Sequence, residues 1–262
     1  MAGSVKNLTS FESITYAVEA PLAYIVMNRP ERHNAISLLM MRELRSAIER
    51  AESNESVHVI ILAGAGKNSF SSGIDLKDGI LDDAGGITES MQSDLLPLLE
   101  YMHESSKLII ASVDGAAFGL GCSLALQCDL VAMSDDATLN LSFSKLGLIA
   151  DGGINWLLPH KVGYSRALQI VLEAQVLDAA RCEELGIANK VMRKELMSHE
   201  LREWAMKLAA NAPLAQGLTK QLMRGVITGN SLTETVRQES IAQARCAGSS
   251  YFKKVFAGIL GR

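Results

Sequence analysis

Two glycine-marked loops carry the residues best placed for chemistry. The first runs Lys67-Asn-Ser-Phe-Ser-Ser-Gly-Ile-Asp-Leu-Lys77 and the second Asp114-Gly-Ala-Ala-Phe-Gly-Leu-Gly-Cys122. Each follows an aliphatic run that reads as a buried strand, Val57–Leu62 or Leu108–Val113, and each leads toward a helical pattern. In open α/β sheets, ligands settle beyond the carboxyl ends of the strands. Glycine at such a place takes positive φ and lets backbone N–H groups face a ligand at close range. The chemistry on offer is polarisation of a ligand oxygen by amides. Taken singly, each loop is better read as a tight turn at a strand end.

Several other chemistries are excluded. There is no G-x-x-x-x-G-K-[ST], and Gly115, Gly119 and Gly121 do not form the dinucleotide G-x-G-x-x-G after the first strand. A G-x-S-x-G elbow is absent, and no His is placed to make a serine triad. Cys122, Cys128, Cys182 and Cys246 contain no C-x-x-C pair, and none has a His three or four residues away. They read as small buried hydrophobes, with no metal implied. With 25 basic and 29 acidic residues the net charge is −4, which lacks the global positive field of a nucleic-acid binder. A local basic pocket for a phosphorylated small molecule stays compatible with that balance.

The elements that position the loops follow from the pattern. A chain of 262 residues, 48% hydrophobic and 21% charged, has globular composition and is long enough for one large α/β domain or two smaller ones. Leu22–Met27 reads as a strand stopped by Asn28-Arg29-Pro30. Ser37 reads as an N-cap for a helix whose stripe is Leu38, Met41, Leu44, Ile48 and Ala51. A helix from about Thr88 to Glu104, a short one from Gly121 to Gln127 and a strand at Leu130–Met133 continue the alternation. Strands joined by helical crossovers imply a mostly parallel sheet. Later segments, Asp178–Gly186, Glu195–Ala210, Pro213–Val226 and Leu232–Ala247, are helical in character. The expected division is an α/β core over residues 1–195 and a helical region over 196–262. No signal peptide or run of ~18 apolar residues is visible, so the expected setting is cytoplasmic, with no membrane and no nucleic acid as partner.

Five segments carry a family resemblance. Met27-Asn-Arg-Pro-Glu-Arg-His-Asn-Ala35 is similar to an N-R-P-x-x-x-N-A motif, and Ser69–Lys77 to an F-x-x-G-x-D-L motif. Val113–Asp129, Ser144–Gly153 and Leu185–Val191 match later signatures in the same order. Together they resemble the crotonase superfamily, the enoyl-CoA hydratase/isomerase fold, over nearly the whole chain. The resemblance implies a spiral of ββα units with a helical C-terminal trimerisation region, in a homotrimer or dimer of trimers. It implies an acyl-CoA thioester as substrate and no separate cofactor. It places an oxyanion hole at the N–H groups of Ile74 and Leu120, with Ser72, Gly73, Gly119 and Gly121 around it, and gives Asp75 a part in shaping the loop. Two such donors stabilise the enolate formed when a proton leaves the carbon beside a thioester.

Departures from the family pattern narrow the reaction. Hydratases of the family carry two glutamates; here Ser123 and Phe143 stand at those positions, and neither is a base near neutral pH. Asp151 matches the acidic residue of several isomerase branches, and Asn155-Trp-Leu-Leu-Pro159 resembles the T-W-L-L-P of the phenylacetate-pathway isomerases. Asp151 is therefore read as the acid/base of a double-bond shift, with N-capping of a helix near Gly152 as the plainer alternative. Ser123 and Phe143 are expected to line the acyl pocket, and Met91, Leu95 and Leu99 to wall it or simply to pack. Arg32, His33, Lys67 and Lys77 are candidates for the CoA phosphates, with a solvated surface equally open. His103 and His160 are read as ordinary surface or satisfied histidines. The expected activity is acyl-CoA isomerisation. The alternatives are hydration by an unusual base, nucleophilic attack by Asp151 as in the dehalogenase branch, or CoA-ester binding without catalysis.

Overall fold

The structure, a computed structural model, describes residues 11–66, 68–78 and 84–260. The hairpin β1 (Ile14–Glu19) and β2 (Leu22–Met27) is followed by α1 (Leu38–Ser53), then β3 (Val59–Gly64), β4 (Ser69–Ser71), α2 (Ala84–Ser90) and α3 (Leu96–Glu104). The pattern repeats as β5 (Leu108–Val113), β6 (Ala116–Phe118) and α4 (Leu120–Gln127), then β7 (Leu130–Ser134), β8 (Thr138–Asn140), α5 (Ile154–Val162) and α6 (Tyr164–Leu172). Next come β9 (Val176–Asp178), α7 (Ala179–Glu184) and β10 (Lys190–Met192), and last α8 (Met197–Ala209), α9 (Pro213–Ile227), α10 (Leu232–Gly248) and α11 (Ser250–Ile259).

Two sheets result. The larger has the order β1-β2-β3-β5-β7-β10, and the smaller β4-β6-β8-β9. In the larger sheet only the β1–β2 pair is antiparallel; in the smaller, only β8–β9. Strands β3, β5 and β7 each hand the chain to a three-residue strand of the second sheet before a helix returns it, which is the ββα spiral expected. A sheet covered on both faces needs aliphatic residues at every position, and β3 meets that need. Ile60 and Leu62 enter the main core, while Val59 and Ile61 pack on the other face with Met197, Leu201 and Ala205 of α8.

Local chemistry explains the element ends. The Ser37 hydroxyl accepts from Met40 N at 3.1 Å, and the stripe Met41, Leu44, Ile48, Ala51 is buried, as the spacing predicts. The expected continuous helix over 88–104 is interrupted by a wider, π-helical turn at Met91–Leu95. Pro97 follows after Leu96 and has no N–H to give to the turn before it. Strand β3 starts two residues later than expected, where Val59 first pairs with Leu22. The three-residue strands and β1 are additions to the sequence reading. Among the described residues no helix is long and apolar enough to cross a membrane. Cys122, Cys128 and Cys182 are buried free thiols, as expected of small hydrophobes, and Cys246 is half-buried.

Helix α4 sits directly on β4, and this approach holds the two glycine loops side by side. A Cβ at Gly121 would lie 2.6 Å from Ser71 Cβ and 2.8 Å from Ser71 O. Gly121, expected to touch substrate, is instead a packing residue. Gly121→Ala is expected to destabilise by about 1–3 kcal/mol through overpacking. In urea denaturation this reads as a lower midpoint with an unchanged slope.

Candidate active site

The first loop is pinned so that one amide is left over. Ser72 N donates to His33 O at 2.9 Å, Ile36 N to Gly73 O at 2.8 Å and Asp75 N to Ile36 O at 2.9 Å. The Ser71 hydroxyl donates to Asn34 O at 2.8 Å and accepts from Gly73 N at 3.2 Å. Between these anchors the Ile74 N–H has no protein acceptor among the described residues. In the second loop Gly119 N donates to Asn140 O at 2.9 Å, and Leu120, the first residue of α4, likewise has an unengaged N–H.

The two amides share one corner of the fold. Gly73 has φ +94°, and a Cβ there would fall 2.9 Å from Phe118 O and 3.4 Å from Leu120 N. Gly119 has φ 49° and ψ −124°, a conformation open only to glycine. Two preorganised donors, one of them at a helix N-terminus where the dipole adds positive potential, suit an oxygen that becomes negative.

Ile74 and Leu120 both line a cavity of about 130 Å³. Its apolar wall includes Met41, Met91, Leu95, Phe143 and Leu148, and Asp151 is the sole ionisable side chain among the described lining residues. The Asp151 carboxyl makes no hydrogen bond among the described residues, and its Oδ1 is fully buried. Burial raises its pKa from the ordinary carboxylate range to about 6. A base of that pKa takes and returns protons near neutral pH. The helix-capping alternative fails on geometry. The N-cap of α5 is Gly153, at φ 78°, and no side chain caps the helix.

Other expected residues sort by what they touch. Phe143, Gly73, Gly119 and Ser72 line the cavity, as do Met91 and Leu95 but not Leu99. Ser123 does not line it; fully buried, its hydroxyl donates to Asp151 O at 2.9 Å. Arg32 and His33 also lie outside the cavity lining. The Arg32 guanidinium is 3.1 Å from Asp75, and the exposed His33 holds the loop through its carbonyl. Lys77 is exposed and Lys67 lies outside the described residues. His103 and His160 stand against the Trp156 ring, and neither lines this cavity. A second cavity, of about 520 Å³, sits over the buried Lys220 and the half-buried Asp129 and Arg224 where α9 meets the core, and shares no lining residue with the first.

Asp75 is buried with Arg29 at 2.8 Å and Arg32 at 3.1 Å, and it accepts from Lys77 N at 3.1 Å. Burial pushes its carboxyl up, but the Lys77 N–H and the two guanidinium groups outweigh that and leave it below the usual range. It therefore closes the first loop on itself and on the Arg29–Arg32 turn, and does not line the cavity. A depressed native pKa gives stability above the ordinary carboxylate pKa that is lost as pH falls. Asp75→Asn is expected to lower the melting temperature at pH 7, with the gap from the parent protein closing below about pH 4.

Within the segment 142–148 sequence reasoning placed Phe143 at the cavity but missed its neighbours. The segment folds as a 3-10 turn, Ser142–Leu146, and contributes Ser142, Leu146 and Leu148 to the cavity. A usable signal was the apolar Leu146-Gly-Leu-Ile149 run directly before Asp151, whose side chains are too exposed to be core: Leu146 is 64% and Ile149 81% accessible.

Comparison with known proteins places this geometry. The Enoyl-CoA hydratase/isomerase family model matches residues 17–257. The chain is 30% identical over 254 residues to 1,2-epoxyphenylacetyl-CoA isomerase of Escherichia coli, covering 96% of each. It is equally 30% identical over 245 residues to a probable enoyl-CoA hydratase of Rhodobacter capsulatus, covering 94% of this chain and 93% of that one. Among solved structures, an enoyl-CoA hydratase subunit from Geobacillus kaustophilus superposes with a TM-score of 0.89 at 30% identity, over 97% of this chain and 96% of that one. A putative enoyl-CoA hydratase from Thermobifida fusca, solved with acetoacetyl-CoA, gives a TM-score of 0.82 at 29% identity, over 90% and 96%.

Proposed function

The chain belongs to the enoyl-CoA hydratase/isomerase family, also called the crotonase superfamily, and we propose that within it the reaction is a double-bond shift in an acyl-CoA. The observation that carries this reading is the single orphaned carboxyl of Asp151 in a cavity with no other ionisable side chain among the described lining residues. The thioester carbonyl oxygen accepts from Ile74 N–H and Leu120 N–H. Asp151 removes a proton from C2 of a 3-enoyl-CoA, and the electron pair moves onto the oxygen to give a dienolate held by those two amides. The same carboxyl returns the proton to C4, leaving the double bond between C2 and C3, conjugated with the thioester. One base on one face suffices, because the proton leaves and returns within its reach.

Hydration asks more of the site, since a water must be held and deprotonated while a second proton is delivered. At the two positions where hydratases keep carboxylates stand Phe143, which contributes only apolar wall, and Ser123, which has no room to lengthen. A Cβ at Gly152 would fall 2.6 Å from Ser123 Cβ, so the Asp151 loop fills the space a longer side chain would need. Coenzyme A enters as part of the substrate. Assembly as a trimer or dimer of trimers is part of the proposal. It is supported by the apolar residues α10 and α11 leave exposed, among them Val236, Ile241, Phe252, Phe256 and Ile259. The test is to add 3-hexenoyl-CoA to the protein and follow conjugation by ultraviolet absorbance. Growth of the conjugated band is expected, and its absence at high enzyme concentration counts against the reading.

A further inference from the structure

The Asp151 carboxyl has no hydrogen-bond partner among the described residues, so nothing grips the carboxyl itself. Its position depends on the backbone that carries it, and residues 148–151 belong to no helix or strand. Backbone bonds secure the loop before and after: Leu148 N donates to Phe143 O at 3.1 Å, and Ile154 N reaches Asp151 O only at 3.4 Å. Between them, three successive carbonyls are each taken by a side chain. Asn155 Nδ2 donates to Ala150 O at 2.6 Å, Ser123 Oγ to Asp151 O at 2.9 Å and Gln127 Nε2 to Gly152 O at 2.8 Å. Ser123 and Gln127 are four residues apart, hence on one face of α4, the helix that also begins with the oxyanion residue Leu120. The loop is shaped to receive them. Gly152 and Gly153 have φ +66° and +78°; a Cβ on the first would strike Ser123 Cβ at 2.6 Å, and on the second Gln127 Nε2 at 2.4 Å.

We propose that Ser123 and Gln127, with Asn155, form a three-point carbonyl clamp that fixes the Asp151 carboxyl relative to the oxyanion amides. They are positioning residues, acting through Asp151, and the inference rests on Asp151 being the acid/base. Helix α4 then serves the reaction twice: its first N–H receives the thioester oxygen, and its Ser123–Gln127 face sets the reach of the base. The position that holds a glutamate in hydratases is here turned from carrying a carboxylate to holding the backbone of another. A buried base left without direct partners gains from this arrangement, because a donor to the carboxylate itself would lower its basicity. A shift of about 1 Å in a reacting group costs on the order of 10²-fold in rate.

The test compares the full-length protein with Ser123→Ala, Gln127→Met, their double variant and Asp151→Asn, using 3-hexenoyl-CoA. Expected are kcat losses of about ten- to a hundredfold in each single variant, with KM within about twofold. The acid limb of the kcat profile should also move down from about pH 6, as a loosened loop admits water to the carboxyl. Gln127 is half-buried at the end of α4, so Gln127→Met keeps the fold even where Ser123→Ala does not. Single variants with parental kcat and acid limb, beside an inactive Asp151→Asn, would overturn the clamp alone. Loss of kcat with an unmoved acid limb would mean a merely structural role and also overturn it. An active Asp151→Asn would overturn the acid/base reading beneath it.

Discussion

Replacing Asp151 with Asn is expected to lower kcat for the double-bond shift by about 10²- to 10⁴-fold, the usual contribution of a positioned acid/base. Affinity for a saturated acyl-CoA should stay within a few-fold, because the oxyanion amides and the apolar wall are untouched. The parent kcat should rise with pH to a plateau above about pH 6, where the carboxyl becomes charged. The same substitution has a second, opposite consequence. A carboxyl whose native pKa is raised binds its proton more tightly folded than unfolded, so stability falls as pH climbs from the ordinary carboxylate value to about 6. Raising a carboxyl from its ordinary range to about 6 by burial corresponds to at most about 3 kcal/mol. Asp151→Asn should therefore melt higher than the parent above pH 6, and the gain should vanish near pH 4. A variant less active and more stable is what a buried, desolvated functional group predicts.

The second large effect is expected at Gly119→Ala. No side chain stands closer than 3.8 Å to the added methyl, so crowding is not the issue. The backbone is. At φ 49° and ψ −124°, alanine is strained, and relief by rotating ψ turns the Leu120 N–H away from the cavity. Loss of one oxyanion donor costs about 2.7–4 kcal/mol of transition-state stabilisation, or 10²- to 10³-fold in kcat. Asp151 is not altered, so the acid limb of the pH profile should stay where it is. That separates this variant from the clamp variants, in which the limb moves.

Much of the site was legible because its signals are local. A glycine with φ +94° two residues before Asp75, or a G-x-G at a helix start, must be read whatever packs around it, and the Ser37 cap and α1 stripe are equally self-contained. What stayed hidden depends on long-range contact. Ser123 and Asp151 are 28 residues apart, and only the fold shows that the serine holds the aspartate's carbonyl and has no face in the cavity. Gly121 shares a motif with the oxyanion residue, yet Ser71 is what forbids it a side chain. Strands β4, β6, β8, β9 and β10 have three residues each, too short for any alternation to register. In sequence Asp151 reads as a base, with helix capping as the plainer alternative. The αL N-cap at Gly153 removes the capping role, and the buried, unpartnered Oδ1 supports the other.

The most direct test of the central claim is mass spectrometry of the product formed from 3-hexenoyl-CoA in water enriched in oxygen-18. Proton shuttling by Asp151 predicts a conjugated 2-hexenoyl-CoA that carries no label. A labelled 3-hydroxyhexanoyl-CoA, formed at a rate that survives Asp151→Asn, would contradict it.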